Sequence, residues 1–467
     1  MSFIKRKYRY KIGRKSSTGF ARIYIQNAID LAAAKFIPDC NFDVLITAKN
    51  ITLKVVKHGP RKVIRSKKNA SIVELTNKAI DKFCAGAEYV SVTLRKGKIV
   101  ISLHALEQLK KDRELSFIKM LSEGRITTAS LYSGIGALAF HLHRGFSNLG
   151  ISSEIQYANE LDPTAAELNV NFNPIWENAG KNAQMVCDDI QSMDLDDLPQ
   201  NIGLLEIAIP CVGYSRLTKS ENKDISHPLT GKLFIRTIEL IRAINPCTLL
   251  IECTPGFRDS DTLGCITDQL KMLGYNYQVI MLKGSEHGDF EHRQRFCLFA
   301  ISKGVQNLFP NLHDIKPSTV ASKRFGSIMD KVSDVDAAWK TYEHVKARNN
   351  MKHMGYRNVV INESTIHMPA MLASYGSPKS GQPFVSHPTN PQLQRMISVR
   401  EHTKIRKLPH RLAEAICMLS DGVLLGRTRT GKTLAHKLLG NAVSPTPWQK
   451  VIEHMFAWCR NDKPMAT

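Results

Sequence analysis

The 467-residue sequence contains no stretch that approaches 18 consecutive apolar residues, so it predicts no membrane-spanning helix. Its first ten residues are basic and lack an apolar run, so no secretory signal is expected. None of its ten cysteines forms a Cys-x-x-Cys pair, which argues against a zinc ribbon or a thioredoxin-type site and favours a reducing compartment. We therefore expect a cytoplasmic protein with no metal site.

Acidic residues are scarce at the start of the chain. Residues 1–125 contain 27 Lys and Arg against 10 Asp and Glu, whereas residues 126–302 contain 13 against 21. A single lysine cluster is usually just solvated surface. A surplus of 17 positive charges within 125 residues, in a chain of net charge +22, instead favours contact with a polyanion such as nucleic acid.

The hydrophobic pattern divides the chain into four parts. Residues 1–125 predict a small basic α+β domain, with no internal repeat evident. Its expected helices are Ala21–Ala34, Ser71–Cys84 and Leu106–Leu121, and its expected strands are Phe42–Ala48, Ile51–Val56, Tyr89–Leu94 and Lys98–Leu103. Residues 126–302 alternate apolar strands with amphipathic helices, which is typical of a Rossmann-like, doubly wound, mostly parallel sheet. Residues 303–400 form an irregular insert, and residues 401–467 return to a helical pattern.

Three predicted strands of the second part end in residues suited to a nucleoside. The first, Ala129–Tyr132, leads into Gly134-Ile-Gly136 and then a helix, a turn that lets backbone approach a ligand. The second ends at Glu160, where a carboxylate can hold ribose hydroxyls, and the third is followed by Asp189. Each acid is equally compatible with a helix N-cap, but three at successive strand ends favour a nucleoside cofactor.

A thiol and three charged side chains are predicted at the same edge of the sheet. Cys211 follows the strand Leu204–Ile209, Glu252 ends the next strand, and Arg293 and Arg295 precede the last one. Most isolated cysteines are small buried hydrophobic residues. Here neighbouring guanidiniums would favour the nucleophilic thiolate, so Cys211 is the candidate nucleophile.

These motifs together resemble the DNA cytosine-5 methyltransferase family. Six motifs occur in the family's order: Tyr132-Ser-Gly134-Ile-Gly136, Pro210-Cys211, Glu252-Cys253-Thr254, Glu291-His292-Arg293-Gln294-Arg295, Arg406-Lys407-Leu408-Pro409 and Gly440-Asn441-Ala442-Val443. The resemblance covers about 330 residues and leaves residues 1–125 unexplained. It implies S-adenosylmethionine as cofactor, with contacts from Tyr132, Gly134, Gly136, Glu160, Asp189, Ile190, Leu233, Asn441 and Val443.

The resemblance further implies methyl transfer to C5 of a cytosine flipped out of duplex DNA. Cys211 would attack C6, Glu252 would bind N3, and Arg295 would hold O2 with Arg293 nearby. The insert 303–400 would then be the target-recognition domain. The enzyme is expected to be a monomer in a prokaryotic cytoplasm, associated with the nucleoid, with any restriction endonuclease on a separate chain.

The sequence departs from the family pattern at Val212, Cys253, Leu161 and Glu291, and three different functions stay open. These are a tRNA cytosine methyltransferase, a non-catalytic DNA-binding relative, and an enzyme that transfers a modified group from a derivative of the cofactor. Residues Gly426–Thr433 also fit the P-loop pattern. The closing motif follows within ten residues, so we interpret this segment as a basic loop near DNA phosphate.

Overall fold

The computed structural model describes residues 6–215, 219–318, 323–349, 357–424 and 431–460. Within it the chain forms two compact units, residues 1–115 and residues 116–467. Most of the P-loop pattern lies outside the described residues. The helix predicted over Leu106–Leu121 is confirmed as Ala105–Ser122, and it spans the division between the two units.

The described part of the first unit consists of short strands and two short helices. In chain order these are β1 (Arg6–Lys11), β2 (Gly13–Arg14), β3 (Ala21–Ile25), α1 (Ala28–Ala33), β4 (Asn41–Ile46), β5 (Ile51–Val55), β6 (Arg61–Lys62), β7 (Ile64–Arg65), β8 (Ser71–Leu75), α2 (Lys78–Cys84), β9 (Tyr89–Arg95) and β10 (Lys98–Leu103), followed by α3 (Ala105–Ser122). One sheet has the strand order β1-β9-β10-β5-β4-β6 and the other β2-β3-β8-β7. Aliphatic and aromatic side chains from both sheets and both helices form a single core.

Two helix predictions in this unit are wrong in the same way. Ala21–Ala34 and Ser71–Cys84 are each a strand followed by a short helix. The strand residues alternate between the core and the surface in β3, which a helical reading of the apolar positions obscured. Asn27 and Asn77 accept backbone N–H groups of the first helical turn, and these caps start the helices after the strands have ended.

The second unit contains the predicted doubly wound domain. Its first elements are β11 (Arg125–Leu131), α4 (Ala137–Asn148), β12 (Ser152–Glu160), α5 (Pro163–Phe172), β13 (Gln184–Cys187), β14 (Leu204–Ala208), α6 (Leu233–Ile244), β15 (Thr248–Cys253), α7 (Asp261–Met272), β16 (Tyr275–Lys283) and β17 (Gln294–Ser302). The insert and the C-terminal part add α8 (Glu343–Asn349), β18 (Val359–Ile361), β19 (Pro383–Ser386), β20 (Gln394–Met396), α9 (Val399–Ile405), α10 (His410–Ser420), α11 (Lys432–Asn441) and α12 (Pro445–Met455).

The central sheet has seven strands in the order β13-β12-β11-β14-β15-β17-β16. Neighbours from β13 to β15 are parallel, and β17 is antiparallel to both β15 and β16. The fold prediction is therefore confirmed, although the edge strand β16 was not predicted. The chain moves outward from β11 in one direction and then from β14 in the other. This reversal opens a crevice at the carboxyl ends of those strands, where such sheets bind ligands.

Helices of the C-terminal part pack against the central sheet and its helices rather than forming a separate body. The rings of Phe146 in α4, Trp448 in α12 and Phe299 in β17 belong to one core cluster. A second cluster joins α10 and α11 to Ile135 in the turn after β11. The insert packs around Tyr375 and the small sheet β18-β19-β20, in a cluster that also includes Phe290 and Ile405.

Candidate active site

The turn after β11 contains the two glycines that the sequence singled out, and each has a different reason to be glycine. Gly136 has φ +72°, and a Cβ there would lie 2.4 Å from Asn169 Oδ1 and 2.5 Å from Asn173 Nδ2. Gly134 has φ +53°, but a Cβ there would meet no atom within 4 Å. Gly136 is thus required by packing and by its backbone conformation, whereas Gly134 faces open space at the crevice.

Two buried asparagines hold this turn in place, and the sequence reasoning missed both. Asn169 donates to Ser133 Oγ at 3.3 Å and to Gly134 O at 3.2 Å, while Asn173 donates to Gly136 O at 3.0 Å. The indole of Trp176 donates to Asn169 Oδ1 at 3.0 Å. The sequence did contain a signal for them: Asn169 and Asn173 are four residues apart at the end of α5, which places both amides on one face of the helix.

Glu160, the residue predicted to bind the ribose, is oriented by backbone N–H groups. The Glu160 carboxylate accepts the N–H of Gly134 at 2.6 Å and the N–H of Asp162 at 2.9 Å. After β13, Asp189 is half-buried and Ile190 is buried. The structure therefore places Glu160 directly against the glycine turn and Asp189–Ile190 at the end of the neighbouring strand.

Tyr132 and Leu233 come together through one threonine of α6. The Tyr132 hydroxyl lies 2.9 Å from Thr237 Oγ1, and Thr237 donates to the carbonyl of Leu233 at 2.9 Å. Tyr132 has φ +58°, a left-handed conformation that costs a non-glycine residue about 1–2 kcal/mol. Burial raises the pKa of its phenol, so this group stays protonated at neutral pH.

Cys211 opens a short 3₁₀ turn, Cys211–Tyr214, at the carboxyl end of β14 and is half-buried. The turn packs against the loop after β15, since the Tyr214 and Phe257 rings are 4.8 Å apart and a Cβ at Gly256 would lie 2.3 Å from Tyr214 O. The N–H of Ile209 donates to Glu252 O at 3.1 Å, which ties the two strand ends together. The backbone thus brings the thiol and Glu252 to one edge.

Glu252 and Arg295 form an ion pair, with 2.8 Å between Arg295 Nε and Glu252 Oε1. Arg295 reaches this position because β17 is antiparallel to β15, so its start lies beside the end of β15. Burial raises the pKa of the Glu252 carboxyl, and the positive charges of Arg295 and Arg293 only partly offset this. The carboxyl accordingly keeps its proton to higher pH than an exposed glutamate.

Arg293 is buried and binds two carbonyls rather than facing the crevice. Its guanidinium donates to Met371 O of the insert at 3.1 Å and to Gly440 O at 2.5 Å. Gly440 directly precedes Asn441, which ends α11 and is exposed, while Val443 lies in the main core. Arg293 therefore joins the sheet, the insert and the closing motif at a single point.

Glu291, which departs from the family pattern, forms a buried ion pair that explains why a glutamate is tolerated there. Glu291 and Arg406 are 1% and 0% exposed and form a two-pronged ion pair, and Glu291 also accepts the N–H of Met371 at 2.7 Å. Arg406 Nε donates to Leu439 O at 2.8 Å. The charge of Arg406 lowers the pKa of Glu291 despite its burial. A glutamate at this position is thus neutralised by the first residue of the motif 406–409.

A second buried carboxyl, Glu206 in β14, was not predicted. It lies beside Ser130 of β11 in the strand register and accepts its hydroxyl, and burial raises its pKa to about 8. Glu206 and Glu252 lie on adjacent strands, and their negative charges repel each other. Nothing in the sequence distinguished this glutamate from an exposed one.

The described ranges contain neither a metal cluster nor a membrane span. No set of three or more His, Cys, Asp or Glu side chains there is placed to hold a metal ion. No helix in those ranges is long and apolar enough to cross a membrane.

Comparison with known proteins assigns the second unit. Residues 126–457 match the family model described as C-5 cytosine-specific DNA methylase. The Type II methyltransferase M.MspI of Moraxella sp. is 26% identical over 295 residues, which are 60% of this chain and 63% of that protein. The tRNA (cytosine(38)-C(5))-methyltransferase of Mus musculus is 22% identical over 173 residues, 36% of this chain and 38% of that protein. The chain thus spans less than two thirds of either relative.

A solved structure shows the same fold. The Entamoeba histolytica methyltransferase EhMeth superimposes with a TM-score of 0.54 at 17% identity, covering 71% of this chain and 98% of that one. The family match covers far more than half of the sequence and includes all six motifs. The chain therefore belongs to the C-5 cytosine-specific DNA methylase family.

Proposed function

We propose that the protein methylates C5 of cytosine in duplex DNA through a covalent adduct on Cys211. The observation that carries this proposal is the convergence of Cys211, Glu252 and Arg295 at the carboxyl edge of β14 and β15. Glu252 is oriented by Arg295 at 2.8 Å, and the two strand ends are joined by the Ile209–Glu252 hydrogen bond.

The adjacent crevice fits the family's methyl donor, S-adenosylmethionine. Gly134 leaves open space, and Glu160 offers an oriented carboxylate, which is an acceptor suited to ribose hydroxyls. Gly136 caps α4 without a side-chain hydrogen bond, so the helix N-terminus can receive an anionic group. Tyr132, Asp189, Ile190, Leu233, Asn441 and Val443 are the remaining residues that we assign to this site. When bound, the cofactor supplies an electrophilic methyl group.

Cytosine C5 is a poor nucleophile until the ring loses its aromaticity. Cys211 Sγ forms a bond to C6 as a thiolate, and the C5–C6 π electrons move toward N3. Glu252 donates its proton in a hydrogen bond to N3 and stabilises the developing charge, and Arg295 holds O2. C5 would then take the methyl group, and the electron pair of the broken S–CH3 bond would stay on the sulfur of the donor. C5 would lose its proton to a base, the C5–C6 double bond would re-form, and Cys211 would leave as thiolate.

The raised pKa of Glu252 suits this role, because a proton donor to N3 must be protonated when the adduct forms. We assign Arg293 as a positioning residue, since its guanidinium is committed to carbonyls of the insert and of Gly440. In that position it fixes the start of β17, and so the direction of Arg295.

Three observations favour DNA over tRNA as the substrate. The matching family model describes DNA methylases, and the insert supplies an additional folded layer suited to reading base edges. The basic surplus of residues 1–125 favours a long polyanion. The relative named as a tRNA methyltransferase makes tRNA the substrate to test against DNA.

Methyl incorporation tests the proposal directly. Unmethylated genomic DNA and unmodified tRNA are incubated separately with the protein and tritiated S-adenosylmethionine, and the label is counted. We expect incorporation into DNA and background with tRNA, and we expect Cys211→Ala to abolish it while sparing most DNA binding. Label in tRNA alone would replace DNA by tRNA as the substrate, and Cys211→Ala activity within tenfold of the parent would exclude Cys211 as nucleophile.

Two further measurements distinguish a methyltransferase from a non-catalytic DNA-binding protein and from an enzyme that transfers a larger group. DNA containing 5-fluorocytosine traps a covalent adduct only if the C5 proton must leave, so the parent should give a crosslinked band and Cys211→Ala none. A non-catalytic DNA-binding protein would give no band. Mass spectrometry of the product base distinguishes a methyl group from a larger transferred group.

A further inference from the structure

The first unit is an internal duplication, which the sequence did not reveal. Strands β1 to β5 with α1 recur as β6 to β10 with α2 in the same order. Asn27 caps α1 and Asn77 caps α2 by accepting an N–H of the first turn in each case. The two equivalent segments misread as helices are the same part of the two halves.

The strand pairing relates the halves by a two-fold axis. Each strand of the first half corresponds to the strand numbered five higher in the second half, so that β1 corresponds to β6 and β5 to β10. If every strand is replaced by its counterpart, the order β1-β9-β10-β5-β4-β6 becomes the same order read backwards, and so does β2-β3-β8-β7. Counterparts pair with each other antiparallel at the centre, with Ile23 opposite Leu75 and Ile25 opposite Val73. In the other sheet β5 pairs with β10 in the same way. Equivalent strands of the two halves therefore occupy equivalent places about this axis.

The two-fold axis repeats one cationic feature. We define the first basic hairpin as residues 11–20 and the second as residues 62–70; neither contains an acidic residue. Backbone bonds close both hairpins at the same place, from Lys15 N to Phe20 O and from Ser66 N to Ala70 O, each 2.9 Å. They carry the exposed cations Lys11, Arg14 and Lys15 in one hairpin and Lys62, Arg65, Lys67 and Lys68 in the other.

These cations are mostly uncompensated. The strand register makes Arg14 the counterpart of Arg65, and each has one carboxylate partner, Asp81 and Asp39 respectively. Within the described residues, none of the five lysines of the two hairpins forms an ion pair with an Asp or Glu. Lysines are thus presented at both ends of the duplicated module without a protein counter-charge.

We propose that the two basic hairpins grip the phosphates of the two strands that flank one groove of duplex DNA. The antiparallel strands of a duplex are themselves related by two-fold axes, so a two-fold module can make the same contacts to both. The pairing of β3 with β8 ends with Ile25 opposite Val73, and extending this register by two residues sets Ser71 level with position 27, six residues beyond Ala21. At roughly 3.4 Å per residue, the bases of the two hairpins are then about 20 Å apart. Because the major groove is about 12 Å wide, this span is large enough for the hairpins to reach phosphates on both sides of it.

This proposal deepens the proposed function, on which its choice of DNA rests. Phosphate contacts position a protein and carry no sequence information, so the module should raise affinity without choosing the methylated site. Total charge predicts only that the unit binds DNA. The equivalence of the halves also predicts that both hairpins contribute equally to DNA affinity.

The experiment measures fluorescence anisotropy of a labelled 30-base-pair duplex with the full-length protein and no methyl donor, from 50 to 300 mM salt. The variants are K11E/K15E in the first hairpin, K62E/K67E in the second, and all four combined. The control is K49E/K96E, which makes the same change of charge at two exposed turns outside the hairpins, between β4 and β5 and between β9 and β10. Circular dichroism confirms that each variant is folded.

We expect each hairpin variant to flatten the plot of log K against log salt by about 1.8, and the combination by about 3.6, at roughly 0.9 per phosphate contact. The control should leave the slope unchanged. An effect from only one hairpin, an equal effect from the control, or tighter binding to tRNA than to the duplex would each overturn the proposal. Because no methyl transfer is measured, failure of the enzyme assay on DNA would sink the proposed function and leave these slopes interpretable.

Discussion

The buried ion pair between Glu291 and Arg406 offers a quantitative test of how the site is held together. Both side chains are 1% exposed or less, and the pair links the segment before β17 to the helix α9 boundary. Removing one partner of a buried pair leaves an uncompensated charge and typically costs about 3–5 kcal/mol. We therefore expect Glu291→Ala to lower the midpoint of thermal unfolding by about 4–7 °C, at about 1.4 °C per kcal/mol, since the entropy of unfolding is about 2.1 cal/mol/K per residue over the unit 116–467.

A surface pair provides the control. Arg400 and Glu414 are 2.7 Å apart but 51% and 39% exposed, so Glu414→Gln should cost less than about 1 kcal/mol. The midpoints are measured by differential scanning calorimetry on the full chain. If Glu291→Ala lowered the midpoint no more than Glu414→Gln does, the assignment of Glu291 and Arg406 as the anchor of this region would be refuted.

The same pair has a pH signature. The pKa of Glu291 lies below its ordinary value of 4.5 in the folded protein, so its contribution to stability is present above that pH and is lost as the pH falls further. Glu291→Gln cannot be titrated there. The difference in unfolding free energy between the parent and Glu291→Gln should therefore be largest near neutral pH and shrink toward pH 3, and a constant difference would contradict the ion-pair account.

Three other predictions concern the crevice. Glu252→Gln should reduce kcat by about 10²–10³ with little change in KM for DNA, because its contact strengthens as charge develops on the ring; a change confined to KM would reassign Glu252 to substrate binding. Gly136→Ala should lower the free energy of unfolding by about 2–4 kcal/mol, because the new Cβ is strained and clashes with Asn169. The control is Gly150→Ala, where φ is +76° but a Cβ would meet no atom within 4 Å, so it should cost about 1 kcal/mol. Urea unfolding measures both values. Gly134→Ala should resemble Gly150→Ala in stability yet weaken binding of S-adenosylmethionine in calorimetric titration; unchanged binding would remove Gly134 from that site.

The local pattern was sufficient for the catalytic sheet. Apart from β16, the strands and helices from β11 to β17 were predicted with small boundary errors, because apolar runs alternate with amphipathic helices. Glu160 and Glu252 lie at the carboxyl ends of strands and Cys211 follows one, and the carboxyl ends of parallel strands must meet at one edge. Chain order and strand direction were therefore enough to bring these side chains together.

Tertiary structure alone decided which of the polar residues are buried and with what partner. Asn169 and Asn173 became supports of the glycine turn only when α5 packed beside it. Glu291 and Arg406 are 115 residues apart, and no local pattern reveals a pair at that separation. Arg293 likewise turned out to bind carbonyls of Met371 and Gly440.

The duplication of the first unit is a second feature that the sequence did not predict. Short strands next to short helices share an apolar spacing with longer helices, so Ala21–Ala34 and Ser71–Cys84 were misread and the repeat was lost. Sequence composition alone indicated that this unit is basic. Only the pairing of β3 with β8 and of β5 with β10 showed that its positive charges are arranged in two equivalent sets, because long-range strand register is set by the shared core and not by neighbours along the chain.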